Sequence, residues 1–199
     1  MSEIICITNR SLCEDDFLKR IGEIAKEKPR AVILREKDLS KEEYRILAEA
    51  VKDICERYSV TCILHSHADV AKSVCAEGLH MPLWMLREMT KEEKKAFGIL
   101  GASCHSAEDA VEAERLGCTY ITAGHVFDTD CKRGLPGRGF DFLKDVCKSV
   151  SIPVYAIGGI CKTNYAKVRL AGARGACIMS GLMRCEDVGK FMEELTNED

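Results

Sequence analysis

Five histidines punctuate the 199-residue sequence, at positions 65, 67, 80, 105 and 125. His65, His80, His105 and His125 each fall at or just beyond the end of a short apolar run, and His67 opens the segment after the first of these. An imidazole accepts and returns protons near neutral pH, so one such ring suits reversible proton transfer. His125 is the best placed. It follows Gly124 directly after an apolar run and precedes a glycine-rich, basic stretch, Thr129 to Gly139. The plainer alternative is a structural imidazole bonded to the backbone of that loop. Four histidines on one rim also raise the question of a metal. The carboxylate nearby is Asp69, a turn or more into a helix, and no metal or other cofactor is expected.

A second group of residues has the chemistry of an oxyanion site. Late in the chain, Ala156-Ile157-Gly158-Gly159-Ile160 and Ile178-Met179-Ser180-Gly181 each end an apolar run on glycine. Bare peptide N–H groups beside a helix start can hold a phosphate, and a Cβ there would keep the oxyanion away. Gly159, Met179 through its backbone, Ser180 and Gly181 are therefore the candidate phosphate ligands. The alternative is that these glycines only make tight turns. Arg35, Lys37, Lys132 and Arg133 could neutralise a phosphate or carboxylate. Arg35 and Glu36 could instead pair with neighbouring strands or with each other.

The elements that must position these groups follow from the pattern of apolar residues. Runs at 4–8, 31–35, 61–65, 78–80, 98–103, 120–123, 153–158 and 175–180 are mostly continuous, as in parallel strands covered on both faces. Amphipathic segments lie between them, at 14–28, from 40 onwards, and at 68–76, 106–116, 141–149, 164–171 and 186–195; 83–96 is less regular. Ser40-Lys41-Glu42-Glu43 reads as a capping box. Eight β/α units predict one domain, residues 1–199, folded as a (β/α)8 TIM barrel, with a doubly wound open sheet as the alternative. In a barrel, all the groups named above lie at the C-terminal mouth.

The bulk composition narrows the function. A formal charge of −3 gives no support to nucleic-acid binding. No apolar stretch is long enough to span a bilayer, and residues 4–7 suit a strand rather than a signal peptide. Twelve cysteines without a C-x-x-C pair read as small buried apolar residues in a reducing cytoplasm, although Cys104 and Cys131 lie near the mouth.

Four stretches carry a family resemblance: Leu34-Arg35-Glu36-Lys37-Asp38-Leu39-Ser40, Gly101-Ala102-Ser103-Cys104-His105-Ser106, Gly124-His125-Val126-Phe127 and Ile157-Gly158-Gly159-Ile160. Together and in this order they resemble the superfamily of thiamine phosphate synthase and the TenI-type thiazole tautomerase. The synthase pattern has Asn-Asp after the third strand and an acidic Mg²⁺ ligand after the fourth. Here those places read His65-Ser66 and Leu83-Trp84, which offer no hard anionic oxygen. The stretch from Gly124 to Gly139 and the pair Met81-Pro82 are more similar to the tautomerase, while His65-Ser66-His67 fits neither pattern well.

The resemblance implies a TIM barrel that aromatises a carboxylated dihydrothiazole phosphate. A proton leaves ring C2 and one is delivered to the exocyclic alkene carbon, with His125 as base and then acid. It implies that Arg35, Lys37 and Lys132 offset substrate charge, that Ser103 and His105 line the rim, and that the chain is a homodimer. The rivals are the Mg²⁺-dependent synthase and a non-catalytic sensor of a thiamine-pathway phosphate.

Overall fold

Each of the eight apolar runs forms a strand in the computed structural model, which describes residues 3–129, 132 and 134–196. The strands are β1 (Ile4–Ile7), β2 (Ala31–Leu34), β3 (Thr61–His65), β4 (Gly78–Pro82), β5 (Ile99–Cys104), β6 (Tyr120–Gly124), β7 (Val154–Ile157) and β8 (Gly175–Ile178). All neighbours pair in parallel, and β1 pairs with both β2 and β8. The sheet therefore closes into an eight-stranded barrel, and the open-sheet alternative is excluded. The helices between the strands are α1 (Phe17–Lys26), α2 (Lys41–Arg57), α3 (Ala68–Ser73), α4 (Leu83–Glu88), α5 (Lys91–Lys95), α6 (Ala107–Arg115), α7 (Gly139–Ser149) and α8 (Tyr165–Leu170), with α9 (Ser180–Arg184) and α10 (Val188–Thr196) after the last strand.

Alternation along the strands builds two apolar layers. Ile5, Ile7, Ile33, Ile63, Tyr120, Tyr155 and Cys177 face the barrel axis. Ile4, Cys6, Val32, Leu34, Cys62 and Leu64 face outward, against helices. That double burial explains why the strands read as unbroken apolar runs. Each fully buried isoleucine or leucine contributes about 1.5–3 kcal/mol of transfer free energy. The capping box opens α2 as its sequence predicts: Glu43 N–H donates to Ser40 Oγ at 3.3 Å and Ser40 N–H to Glu43 Oε2 at 2.9 Å. From α2, Tyr44 reaches back to the mouth. Its hydroxyl donates to Leu34 O at 2.7 Å and accepts from His65 N–H at 3.0 Å, pinning the ends of β2 and β3 together.

The differences from the sequence-based expectation are local. The fourth strand runs to Pro82 rather than stopping at His80. The irregular stretch 83–96 resolves into two short helices, and Thr90 caps the second with Glu93 as its box partner. Met81 and Pro82 extend the strand, which closes on a residue that ordinarily argues against a sheet interior.

Candidate functional site

A cavity of about 340 Å³ opens at the C-terminal end of the barrel. It is built by strand parity. Residues 33, 35, 65, 80, 103, 122, 124, 157 and 177 continue the inward-facing series of their strands and reach it. The loops after the strands add Lys37, His105, His125, Thr129, Lys132, Gly158, Gly159, Ile160, Met179, Ser180 and Gly181. Arg35, Lys37, Ser103, His105, His125, Lys132, Gly159, Met179, Ser180 and Gly181 thus border one hollow. Asp130, Cys131 and Arg133 lie outside the described residues.

The histidines separate into two tiers. His65 and His80 lie at the floor, buried, with ring centroids 5.8 Å apart and planes 24° from parallel. Burial pushes both pKa values down to about 3, with the neighbouring imidazole and Arg35 adding to the fall for His65 and Arg35 for His80. Both rings are therefore neutral at physiological pH. His105 and His125 stand higher, on the rim. His105 Nδ1–H donates to Gly124 O at 2.7 Å. His67 is not among the lining residues; its ring packs on Tyr44 with centroids 4.3 Å apart.

His125 is held from both sides. Its carbonyl accepts from Arg138 N–H at 3.1 Å, and the next residue, Val126, donates to Ile157 O at 2.9 Å. Its Nε2 lies 3.2 Å from Leu135 O. A carbonyl only accepts, so in the neutral ring Nε2 carries the hydrogen and Nδ1 keeps the lone pair. The ring therefore satisfies both readings given above: it is bonded to the loop backbone and it borders the cavity.

The glycines after β7 have a tighter reason than oxyanion approach. At Gly158 (φ +99°) a Cβ would stand 2.4 Å from His125 Cβ; at Gly159 (φ +65°) it would stand 2.5 Å from Asp128 O and 2.7 Å from Phe127 Cβ. These glycines let the loop carrying His125 lie against the end of β7, a packing reason that stands beside the expected approach of an anion. Asn164 braces the same turn, donating from Nδ2 to Gly159 O at 2.9 Å and accepting Cys161 N–H at 2.9 Å. At the neighbouring turn, Met179 is the residue before α9 and the first helical bond runs from Met183 N–H to Met179 O. The N–H groups of Ser180 and Gly181 precede that bond and have no intrahelical acceptor.

Cations gather opposite. The pKa of Lys37 is lowered by the Arg35 guanidinium first, then by partial burial and by Lys132. The carboxylate between Arg35 and Lys37 in sequence does not neutralise them. Glu36 is buried and turned away, accepting from Thr8 Oγ1 at 2.6 Å and from Arg10 N–H at 3.0 and 3.1 Å. Asp38 pairs with Arg10 at 2.6 Å, and Asp69 pairs with Lys41. Cys104 borders the cavity, but burial pushes its thiol up, so it is not a ready nucleophile. Among the described residues, no cluster of three or more histidines, cysteines or carboxylates could hold a metal ion.

Sequence reasoning passed over Tyr120 and Thr122, both buried inside the barrel. The signal available was register. Tyr120 pairs with Gly101, Gly101 with His80, and His80 with His65, so a glycine in this row leaves space for a neighbour's ring.

The chain is a closed (β/α)8 barrel with cations and imidazoles at the C-terminal ends of its strands, the face where enzymes of this fold class carry their sites. Residues 4–182 match the family described as thiamine monophosphate synthase, TMP-TENI, and the chain belongs to that family. It is 33% identical over 196 residues to a thiamine-phosphate synthase of Clostridium tetani, covering 96% of this chain and 92% of the relative. A thiamine-phosphate synthase of Clostridium acetobutylicum is 35% identical over 192 residues, covering 94% and 89%. Among solved structures, a thiamine phosphate pyrophosphorylase from Pyrococcus furiosus superposes with a TM-score of 0.82 at 31% identity, covering 97% of this chain and 93% of that one. These relatives carry the synthase name rather than that of the tautomerase.

Proposed function

We propose that this protein is an isomerase of thiamine biosynthesis that aromatises a carboxylated dihydrothiazole phosphate by moving a proton from ring C2 to the exocyclic alkene carbon. One observation carries the reading: the described lining of the mouth holds four imidazoles and three cations and no carboxylate. A proton shift needs a base that can return what it takes, and anionic substituents need positive charge around them. His125 Nδ1 removes the C2 proton, leaving electron density spread over the ring and the alkene. The same nitrogen then protonates the exocyclic carbon. The net change is an isomerisation, with no other reactant consumed. The phosphate lies against the N–H groups of Gly159, Ser180 and Gly181 and the backbone of Met179. Arg35, Lys37 and Lys132 face the carboxylate and the remaining phosphate charge, and Ser103 and His105 close the sides.

A second reading, the synthase, has a specific observation in its favour, since the similar relatives bear that name. On names alone it is the better supported of the two. That reaction calls for Mg²⁺ beside a departing pyrophosphate, and Mg²⁺ takes hard oxygen ligands. The described residues around the mouth do not fit the ion: they include no carboxylate, and Glu36 is committed to Thr8 and Arg10. We therefore derive no step through a metal.

The experiment runs both reactions on one preparation. Aromatisation of the dihydrothiazole phosphate is followed by ultraviolet absorbance in the presence of a chelator. Joining of pyrimidine pyrophosphate and thiazole phosphate is followed with Mg²⁺ present. Chelator-resistant aromatisation that fails in His125→Ala is the expected result. Mg²⁺-dependent joining that survives His125→Ala, without aromatisation, would overturn the proposal in favour of the synthase. Tight binding of carboxythiazole phosphate without either reaction would identify a sensor.

A further inference from the structure

Below the mouth, one hydrogen-bonded line runs from the barrel interior to the cavity surface. The Tyr120 hydroxyl lies 2.9 Å from His80 Nδ1, and His80 Nε2 lies 2.9 Å from Ser103 Oγ, which borders the cavity. The line is built rather than incidental. A Cβ on Gly101 would fall 2.3–2.6 Å from the Tyr120 phenol carbons and oxygen, so the glycine is what admits the ring.

The direction of the line follows from counting protons. Tyr120 is buried, and within the described residues His80 Nδ1 is its one hydrogen-bond partner. A phenol that only accepted would leave its O–H buried and unsatisfied, so it donates. His80 Nδ1 then accepts. The ring is neutral, as its depth in the barrel requires, so its hydrogen is on Nε2. Ser103 Oγ accepts that hydrogen, and among the described residues no acceptor takes its own, which is left for a ligand.

We propose that Tyr120 and His80 are positioning residues that fix the Ser103 hydroxyl as a hydrogen-bond donor to the ligand, so that the ligand turns an anionic acceptor, a carboxylate oxygen, toward it. The ordering of the line stands on the protein alone. The identity of the acceptor rests on the functional reading given above, and Arg35, whose charge reaches His80, supplies the matching cation.

The test has two arms. In histidine-labelled wild-type protein at neutral pH, long-range ¹⁵N–¹H correlation spectra report which His80 nitrogen carries the proton. The expected pattern is protonated Nε2 with bare Nδ1. A protonated Nδ1 reverses the line and overturns the proposal, whatever reaction the protein catalyses. In the second arm, calorimetry measures carboxythiazole phosphate binding to Ser103→Ala, Tyr120→Phe and the double variant. Ser103→Ala is expected to bind about tenfold more weakly, the effect of losing one hydrogen bond to a charged group. The double variant is expected to be no weaker than Ser103→Ala. Additive losses would mean that Tyr120 does not act through Ser103, and would overturn the coupling. If the wild-type protein does not bind this ligand, the functional reading fails, while the spectra still decide the ordering.

Discussion

Gly158→Ala separates the placing of His125 from the stability of the barrel. The new methyl would stand 2.4 Å from His125 Cβ and 2.9 Å from its Cα. Carbon atoms rest about 3.5–4.0 Å apart, so the two groups must part by about 1 Å or more. The backbone at φ +99° adds about 1–2 kcal/mol for any residue with a Cβ. Crowding in a packed site adds about 1–3 kcal/mol. The sum, about 2–5 kcal/mol, leaves a domain of ordinary stability folded in the cold. Relief falls on the loop 125–128, because β7 is locked between β6 and β8. A reacting group displaced by about 1 Å loses on the order of a hundredfold in rate. Urea unfolding gives the first quantity, and kcat for aromatisation, measured on the folded variant at low temperature, gives the second. A variant that loses the expected stability but keeps kcat within about twofold of wild type would refute the claim that His125 does the chemistry.

The remaining predictions concern charge and protons. His125→Ala should lower kcat by about 10²–10⁴, the range for a lost general acid–base, while calorimetry finds the affinity for carboxythiazole phosphate nearly unchanged. Ser180→Asp brings a carboxylate to the cradle beside α9 and should weaken binding of the same ligand about tenfold or more by like-charge repulsion, with the circular dichroism melting curve little altered. His65 and His80 have folded pKa values of about 3, below the unfolded value of about 6.5, so the unfolded chain takes up protons first as pH falls. Their contribution is fully present above about pH 6.5 and is lost between there and about pH 3, with a slope of up to about 1.4 kcal/mol per pH unit for each ring. Urea titrations from pH 7 to pH 4 check this, and a slope that stays the same in His65→Gln would argue against it. Gly101→Ala should cost about 1–3 kcal/mol by driving the Tyr120 ring out of its space, and thermal unfolding with tyrosine fluorescence would register it.

The barrel was legible because its signal is carried by whole runs. Val32, Ile33 and Leu34 are apolar in succession since one side chain meets a helix and the next meets the axis, and that pattern survives without coordinates. The positions of Arg35, Ser103, His125 and Ser180 on one mouth follow from strand order, because parallel strands point the same way. What was not legible depends on register between strands distant in sequence. Nothing local to Tyr120 says that its ring lies over Gly101 and meets His80, 40 residues earlier. Gly158 and Gly159 read as a phosphate turn, and only the packed loop shows that His125 and Phe127 occupy the space a Cβ would need. Glu36 sits among cations in sequence, yet its partners, Thr8 and Arg10, come from the segment that follows the first strand.

The withdrawal of Glu36 has a consequence for what the cavity retains. With that carboxylate spoken for, Arg35, Lys37 and Lys132 repel one another across the entrance, and the lowered pKa of Lys37 is the mark of it. Their arrangement thus favours an anion set between them. A doubly charged guest gains not only its own contacts but also the relief of that mutual repulsion. The same compound stripped of its phosphate leaves much of the tension in place. On the proposed function, this mutual repulsion favours the phosphate ester over its parent alcohol.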